Sequence, residues 1–348
     1  MPLPEVIDTL DMFGAVAALP EQVEQAASSA ARVQGALPHH DDIENVVVLG
    51  MGGSGIAGDV LREVAGPFMP VPVVVHKGYG IPNFISDSTL VFAISFSGNT
   101  EETLEAVAEA AGAGGHVVAV SNGGELQAMA DDWGAPYLPI ADGIPMPRAG
   151  IGAVSIPPLV VLEAVGLFPG ASSWIDAAVA QLRKRRDELV AEQNPARDLA
   201  RRIGRELPIV YGGAGLGGVA ALRWKNQFNE NAKVASFWHQ IPELCHNELC
   251  GWGQHGDVTR QVFRLINLRH DNEHPQITRR FELVNEMVEE VVAEIEEVRA
   301  EGEGPLAQLF DLMIYGDFVS LYLAYMSQVD PGPVAVLDWM KERLVEPV

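Results

Sequence analysis

Three polar residues in the second half of the chain have side chains suited to proton transfer or charge stabilisation: Glu230, His246 and Lys341. A carboxylate can remove a proton next to a carbonyl group, and an imidazole titrates near neutral pH. Taken alone, Glu230 and Lys341 are typical of solvated surface residues, and His246 of a hydrogen-bonded structural histidine. Arg148 lies in an irregular segment between two prolines and two glycines, where an arginine is usually solvated.

A second polar group, Ser95, Ser97 and Thr100, is suited to binding an anion. These residues follow the apolar strand predicted at Leu90–Ile94 and precede a helix predicted from Glu101. The first turn of a helix presents free N–H groups at the positive end of the helix dipole, and hydroxyl groups add further donors. Alternatively, the turn only caps a helix.

A glycine-rich loop, Gly50–Gly55, forms a comparable turn earlier in the chain and matches G-x-G-x-x-G, the pattern associated with dinucleotides. A dinucleotide site also needs an acidic residue after the second strand. Here the second strand, predicted at Val71–Val75, is followed by His76 and Lys77. We therefore interpret the loop as a second phosphate-facing turn, with Ser54 as its hydroxyl donor.

Alternating strands and helices must position these turns. In the first half we predict one or two leading helices and five strands separated by short turns and helices. In the turn after the third strand, Asn99 and Glu102 have the spacing of a capping box. This alternation predicts a parallel sheet covered on both faces, with both polar turns at the carboxyl ends of its strands. The expected elements are helices in 8–37, 56–64, 101–111 and 155–167, and strands at 46–49, 71–75, 90–94, 116–120 and 137–140.

The second half repeats this order of strand, glycine loop and helix about 160 residues later, which indicates an internal duplication. The basic run Arg183–Arg186 is flanked by acidic residues and predicts a solvated helix face. The residues 277–299 have helical spacing and predict one long amphipathic helix. The other expected elements are helices in 172–207, 219–233, 306–328 and 334–344, and strands at 208–211 and 262–269.

Composition limits the possible partners. The 348-residue chain carries 47 acidic and 23 basic side chains, a formal charge of −24, which disfavours nucleic acid and anionic membranes. The N-terminus lacks the features of a signal peptide, and no uninterrupted apolar run has the length of a membrane span, so we expect a cytoplasmic protein. A phosphorylated metabolite would have to be held by local N–H and hydroxyl donors.

The two cysteines, Cys245 and Cys250, flank His246 and, with His239, raise the possibility of zinc. The sequence has no second ligand pair at zinc-finger spacing, so we expect no metal at this segment.

Six elements together resemble the bifunctional phosphoglucose/phosphomannose isomerase family, a branch of the phosphoglucose isomerase superfamily with two sugar-isomerase (SIS) domains. The resemblance covers nearly the whole chain. It implies an α/β fold of two three-layer αβα domains, each with a central parallel sheet, at residues 1–168 and 169–348. The elements are Gly50–Gly55, Ser95–Thr103, Pro147-Arg148, Glu230–Lys233, His246–Glu248 and Lys341.

The resemblance also implies roles for these residues. Glu230 would move a proton between C1 and C2 of a hexose 6-phosphate, Arg148 would stabilise the enediolate, and His246 and Lys341 would assist ring opening. It implies no cofactor and a homodimer in which His246 completes the site of the partner subunit. The substrate phosphate would be bound by Gly52, Gly53, Ser54, Ser95, Ser97 and Thr100.

The expected reaction is interconversion of glucose 6-phosphate, and of mannose 6-phosphate, with fructose 6-phosphate. One departure concerns mannose, because family members often carry a threonine before the terminal helix and residues 330–334 have no hydroxyl group. The alternatives are a catalytically silent phosphosugar-binding protein, a glutamine-dependent aminosugar synthase and a nicotinamide-dependent oxidoreductase. The synthase would need an N-terminal cysteine, and the first cysteine here is Cys245.

Overall fold

The computed structural model describes residues 7–344 and contains two separate parallel β-sheets. The first sheet has five strands in the order β2-β1-β3-β4-β5, and the second has four in the order β7-β6-β8-β9. All adjacent strands pair in parallel. The strands are β1 (Asn45–Leu49), β2 (Val73–His76), β3 (Thr89–Ser95), β4 (His116–Ser121), β5 (Tyr137–Pro139), β6 (Leu207–Gly213), β7 (Phe237–Ile241), β8 (Phe263–Arg269) and β9 (Glu294–Arg299).

Helices cover both faces of each sheet, which confirms the predicted α/β class. They are α1 (Met12–Ala17), α2 (Leu19–Ala30), α3 (Gly52–Val64), α4 (Glu101–Gly112), α5 (Gly124–Trp133), α6 (Ile151–Val165), α7 (Ala171–Leu189), α8 (Pro195–Ile203), α9 (Leu216–Glu230), α10 (Gly256–Val262), α11 (Pro275–Val288), α12 (Gly304–Met326) and α13 (Ala335–Leu344). The shared order of second, first, third and fourth strand in the two sheets agrees with the predicted duplication.

One continuous core joins the two halves. It contains residues from one face of each sheet, such as Val46 and Val210, together with the apolar sides of α3, α6, α7, α9 and α12. The opposite face of the first sheet packs against α4 and α5, and that of the second sheet against α11 and the segment after β7. The inner face of each sheet therefore points to the other half of the molecule.

Helix α12 lies at the centre of this core and is almost entirely buried against α1, α7, α8 and α9. It is long and apolar enough to cross a membrane, but its surface is already occupied by protein. Two aspartates of α12, Asp311 and Asp317, are buried and each pairs with an arginine.

The prediction of one helix over residues 277–299 was wrong. Helix α11 ends at Val288, and Glu294–Arg299 form β9, parallel to β8. Glutamates are compatible with this strand because arginines pair with them. Arg264 on the neighbouring strand and Arg202 on α8 both donate hydrogen bonds to Glu296. Strand β7, an edge strand with the exposed Phe237, was not predicted either.

The prediction that the basic run Arg183–Arg186 forms a solvated helix face was only partly correct. Arg183 and Lys184 are exposed and pair with acidic side chains, as a solvated face would. Arg185, in contrast, is only 4% exposed and binds Asp311 through two nitrogen atoms. The residue is part of the core and connects α7 to α12.

The packing of α12 on α9 can be tested at Gly316. A methyl group added there would lie 2.3 Å from Nε1 of Trp224, whose N–H donates to the carbonyl of Leu312. We expect Gly316→Ala to destabilise the protein by about 1–3 kcal/mol, the usual effect of overpacking. The control is Gly112→Ala at the end of α4, where added atoms meet nothing within 4 Å and the change should be neutral or slightly stabilising. Thermal unfolding midpoints that do not distinguish the two variants would contradict this close packing.

Candidate active site

The glycine-rich loop after β1 lies at the carboxyl end of the first sheet, as predicted. Helix α3 begins at Gly52, and no side chain caps it. Gly52 is exposed with φ +52°, and Gly53 is half-buried, so the backbone of this turn is open to a ligand. Ser54 is buried, and its hydroxyl oxygen accepts a hydrogen bond from the backbone N–H of Phe96 at 3.1 Å.

The hydroxyl-rich turn after β3 is the second part of the site. Ser97 is exposed, and its hydroxyl oxygen accepts from the N–H of Asn99. Ser95 is fully buried, with its hydroxyl group 2.9 Å from that of Thr100. Thr100 is the N-cap residue of α4 and makes no side-chain capping bond, so this helix N-terminus is also uncapped.

The predicted capping box in this turn was wrong. Helix α4 is preceded by Thr100, and the side chain of Asn99 instead accepts from the N–H of Glu125 and donates to the carbonyl of Ser97. Asn99 therefore connects the turn after β3 to the start of α5.

The structure brings the two turns together because β1 and β3 are neighbouring parallel strands. The hydrogen bond between Phe96 and Ser54 connects them directly. Lys77, at the end of β2, lies beside the first turn but is paired with the buried Asp59. The donors that remain for an anion are backbone N–H groups and hydroxyl groups.

Arg148 adjoins these turns. It lies in a short 3-10 turn, Pro147–Ala149, and a methyl group on Gly53 would be only 3.6 Å from the carbonyl oxygen of Pro147. The predicted solvated environment is wrong for this residue, since Arg148 is 4% exposed. Burial lowers the pKa of its guanidinium, Glu230 partly offsets this, and Arg223 adds to it.

Acceptors from the second half of the chain hold the Arg148 guanidinium. Nε donates to Oδ1 of Asn231 at 2.6 Å, and Nη2 donates to the carbonyl oxygens of Pro331 and Gly332. Nη1 has no hydrogen-bond partner among the described residues, and it lies 3.6 Å from Oε2 of Glu230. The site is therefore formed where the two halves meet.

Glu230 is the last residue of α9, and its side chain is 33% exposed. It thus faces accessible space beside a fixed positive charge. Lys233, three residues on, has φ +57°, donates to the carbonyl oxygen of Glu230 and lies 3.4 Å from that of Pro331. Burial and the charge of Arg148 lower the pKa of the Lys233 ammonium, which lies beside the backbone of Glu230.

His246 lies away from these residues within one protomer. The exposed His246 follows Leu244, which packs on the face of the second sheet that carries Tyr211. Helix α9, which ends at Glu230, packs on the opposite face, with Val210. The second sheet therefore separates the two side chains.

Lys341 is also separate from the site in the described chain. It lies on α13, of which no residue is buried, and no hydrogen bond or ion pair within residues 7–344 joins it to Arg148 or Glu230. Four apolar side chains of α13, at i, i+3, i+4 and i+8, form one exposed face: Val336, Trp339, Met340 and Leu344.

Zinc at the cysteine segment finds no support in the geometry. Within residues 7–344, the group with three metal-binding side chains whose ligand atoms lie within 4.8 Å of one another is His39, His40 and Asp41, and all three are exposed. Cys245, His246 and Cys250 form no such group. Burial raises the pKa of the Cys245 thiol.

Sequence reasoning missed the side chains and carbonyl groups that hold Arg148. Asn231 stands beside Glu230 in the sequence and could have been considered as a neighbour of the site. The carbonyl groups of Pro331 and Gly332 leave no signal in residue type, because any residue supplies a carbonyl. Arg223 and Asp317, a buried pair behind Arg148, are distant in sequence from one another and from Arg148.

Two parallel-sheet units with uncapped helix N-termini at one sheet edge define a protein of the SIS class. A model of the SIS domain matches residues 42–133, and a model described as the bacterial phospho-glucose isomerase C-terminal SIS domain matches residues 192–344. By sequence similarity over nearly its full length, the chain belongs to the bifunctional phosphoglucose/phosphomannose isomerase family.

Three comparisons illustrate this. The bifunctional phosphoglucose/phosphomannose isomerase of Caldicellulosiruptor bescii is 34% identical over 96% of this chain and 99% of that protein. The protein of the same name from Thermoplasma acidophilum is 32% identical over 86% of this chain and 89% of its own length. A solved structure, the C-terminal domain of glucosamine-fructose-6-phosphate aminotransferase from Francisella tularensis, has TM-score 0.68 at 15% identity, over 92% of this chain and 98% of that one, and supports the fold alone.

The shape of the hydroxyl-rich turn depends on Gly98. Its φ is +70°, and an added methyl group would lie 1.9 Å from the carbonyl oxygen of Gly123. We expect Gly98→Ala to open the turn and weaken binding of inorganic phosphate at least ~10-fold, equivalent to 1.4 kcal/mol or more. Isothermal titration would measure this.

The matched control is Gly134→Ala, also at positive φ (+62°) but with nothing within 4 Å. It should cost only about 1–2 kcal/mol of stability, the usual penalty for a left-handed backbone, and leave phosphate affinity unchanged. Equal phosphate affinities for the two variants would show that the turn after β3 is not the anion site.

Proposed function

We propose that this protein interconverts glucose 6-phosphate, and mannose 6-phosphate, with fructose 6-phosphate through an enediolate. The observation that carries the proposal is the Glu230 carboxylate 3.6 Å from the buried Arg148 guanidinium, beside two uncapped, hydroxyl-bearing turns. The names of the relatives, which match over nearly the full chain, support the same reaction.

The two turns would bind the substrate phosphate. Gly52 and Gly53 would supply backbone N–H groups, and Ser54, Ser97 and Thr100 hydroxyl groups, at the positive ends of two helix dipoles. Ser95 is buried against Thr100, so we assign it to holding the threonine hydroxyl in place rather than to direct contact. This arrangement recognises a phosphate locally, in a chain whose net charge would repel it at a distance.

Glu230 would remove the proton from C2 of the aldose and return it to C1. The electron pair left behind forms the enediolate, and the proton on the C2 oxygen moves to the C1 oxygen, so substrate and product are isomers. Arg148 supplies a fixed positive charge for the enediolate oxygens, because a guanidinium stays protonated at any working pH. The proton transfer itself needs neither a metal nor a redox cofactor.

His246 and Lys341 would assist opening of the sugar ring before proton transfer. Since the second sheet separates His246 from Glu230 within a protomer, we infer that a homodimer delivers His246 of the partner subunit to each site. The exposed apolar face of α13 supports association, because a face of this kind on a helix normally packs against protein. Packing of that face against the partner subunit would also fix the position of Lys341 on α13.

Mannose 6-phosphate is the second substrate of the proposed pair. The segment before α13 has no hydroxyl group, and in the structure Pro331 and Gly332 use their carbonyl oxygens to hold Arg148. Recognition of the mannose epimer would therefore rest on other groups, and we expect glucose 6-phosphate to be the better substrate. A sugar phosphate fits the cytoplasmic location that we propose.

The direct test is to incubate purified, EDTA-treated protein with fructose 6-phosphate and to resolve the two aldose phosphates. We expect both products, with and without EDTA. Product that disappears only after EDTA treatment would require a metal. Binding of fructose 6-phosphate without any product would instead identify a silent phosphosugar-binding protein.

The same assay tests the base. Glu230→Gln should lower kcat by at least ~10²-fold with little change in substrate binding, the low end for loss of a general acid–base group. Glu109→Gln, which changes an exposed carboxylate on α4, should have no effect. A much smaller decrease in kcat for Glu230→Gln would mean that another residue is the base.

Subunit mixing tests the shared site. Glu230→Gln and His246→Ala should each be inactive, but co-refolding equal amounts should restore about a quarter of wild-type activity, because half of the dimers are mixed and carry one intact site of two. Mixing Glu230→Gln with Arg148→Ala should restore nothing, since these residues belong to the same protomer. Recovery in neither mixture would mean that His246 acts in its own subunit, and a fully active His246→Ala would mean that it has no role.

A further inference from the structure

The way in which Arg148 is held differs from that of other buried arginines. Five arginines of residues 7–344 are at least nine-tenths buried. Four of them donate hydrogen bonds directly to a carboxylate. These pairs are Arg185 with Asp311 (2.8 Å), Arg223 with Asp317 (2.5 Å), Arg264 with Glu206 (2.6 Å) and Arg269 with Glu273 (2.8 Å).

Arg148 is the exception among these five. Its hydrogen-bond acceptors are an amide oxygen, from Asn231, and two backbone carbonyl oxygens, from Pro331 and Gly332. All three are electrically neutral. Its ion-pair partner Glu230 lies at 3.6 Å, too far for a direct hydrogen bond.

This difference has an electrostatic consequence. A hydrogen-bonded carboxylate neutralises the charge of a guanidinium. An amide or a backbone carbonyl accepts hydrogen bonds from its N–H groups but does not neutralise its positive charge. Accordingly, burial lowers the pKa of Arg148, while carboxylate partners raise the pKa of Arg185 and Arg269. Burying an incompletely paired charge is unfavourable, so the fold gains nothing in stability from this choice of acceptors.

The orientation of the Asn231 side chain is also fixed. Nδ2 of Asn231 donates to the hydroxyl oxygen of Ser320 at 2.9 Å, and that hydroxyl donates its own hydrogen to the carbonyl oxygen of Asp317 at 2.7 Å. Because the Ser320 hydrogen is already used, Ser320 can only accept from Asn231. The amide oxygen must therefore face Arg148.

The backbone of Arg148 is held independently. Arg223 donates from Nη2 to the carbonyl oxygen of Arg148 at 2.9 Å, and the same guanidinium pairs with Asp317. The position of the turn thus does not depend on Asn231. What Asn231 adds is the direction of the guanidinium and a neutral acceptor, rather than a carboxylate, at its Nε.

We propose that Asn231 is a positioning residue that holds Arg148 through a neutral acceptor, so that no hydrogen-bonded carboxylate cancels the positive charge of Arg148 and this charge, beside Glu230, remains available to an anionic group at C1–C2 of the bound sugar. The inference rests on the proposed function, since it concerns the charge that develops there. An aspartate at position 231 has nearly the same shape and would still accept from Nε, but it would neutralise the guanidinium.

The test compares two ligands in Asn231→Asp. Gluconate 6-phosphate carries a carboxylate at C1, and glucitol 6-phosphate carries a hydroxyl group there, with the same phosphate in both. Isothermal titration gives the ratio of their Kd values, which isolates the interaction with charge at C1. We expect wild-type protein to prefer the aldonate, and Asn231→Asp to reduce this preference at least ~10-fold, in line with the loss of one charge-stabilising group.

Asn194→Asp is the matched control. Asn194 is also buried and caps α8, and its partners Ala191, Tyr322 and Arg197 are not residues of the site. An aspartate loses the amide donors there, as it does at position 231, and is an acceptable cap residue. It should leave the ligand preference unchanged. If Asn231→Asp weakened both ligands equally, Asn231 would have only a structural role, and a wild-type protein without preference for the aldonate would overturn the proposal as well.

A second variant carries the test if Asn231→Asp does not fold. Ser320→Ala removes the acceptor that fixes the Asn231 amide and lets it rotate, so that its NH2 group can face Arg148. The preference should then fall by at least ~3-fold, the scale of one hydrogen bond, and an unchanged preference would contradict the proposal. These titrations do not depend on turnover: a protein that loses its preference in Asn231→Asp but shows no isomerase activity would refute the proposed function alone.

Discussion

The contact between Arg148 and the second half of the chain is the constraint on which the candidate site depends. A turn of the first half supplies the guanidinium, and Asn231, Pro331 and Gly332 of the second half supply its acceptors. A buried guanidinium that lost these acceptors would leave several N–H groups unsatisfied, which is costly in a protein interior. The geometry of the site therefore depends on hydrogen bonds that cross between the two halves, which a shared core already holds together.

The acidic composition is compatible with a phosphate site because the charges are distributed unevenly. Many glutamates and aspartates are paired with arginines in the second half, such as Glu296 with Arg202 and Arg264. Lys77, the lysine that lies beside the first phosphate-facing turn, is paired with Asp59. Binding there would depend on short-range hydrogen bonds, which salt screens much less than it screens long-range attraction.

Much of the fold could be predicted from the sequence because buried parallel strands are continuous apolar runs, and β1, β3 and β4 are of this kind. Two strands were missed for physical reasons. β9 contains three glutamates, two of them paired with arginines far away in sequence, and β7 is an edge strand with one exposed side. The polar turns were predicted because glycines and hydroxyl residues mark them locally.

The candidate site was predictable only in part. Glu230 and Arg148 were identified through resemblance, and the structure places them side by side. Neither the burial of Arg148 nor its acceptors could be derived, because they depend on carbonyl groups and on packing between distant segments. The proposed roles of His246 and Lys341 depend on a second copy of the chain, which no pattern within one copy can position.

The central position of α12 has a consequence for how the protein is made. This helix ends at Met326, about a hundred residues after the end of α9, yet it completes the core that the two sheets share. During synthesis, the apolar inner faces of α7, α8 and α9 therefore lack their packing partner α12 until the ribosome has added about a hundred further residues. Until then these faces are exposed to solvent, so we expect the nascent chain to bind chaperones that cover apolar surface.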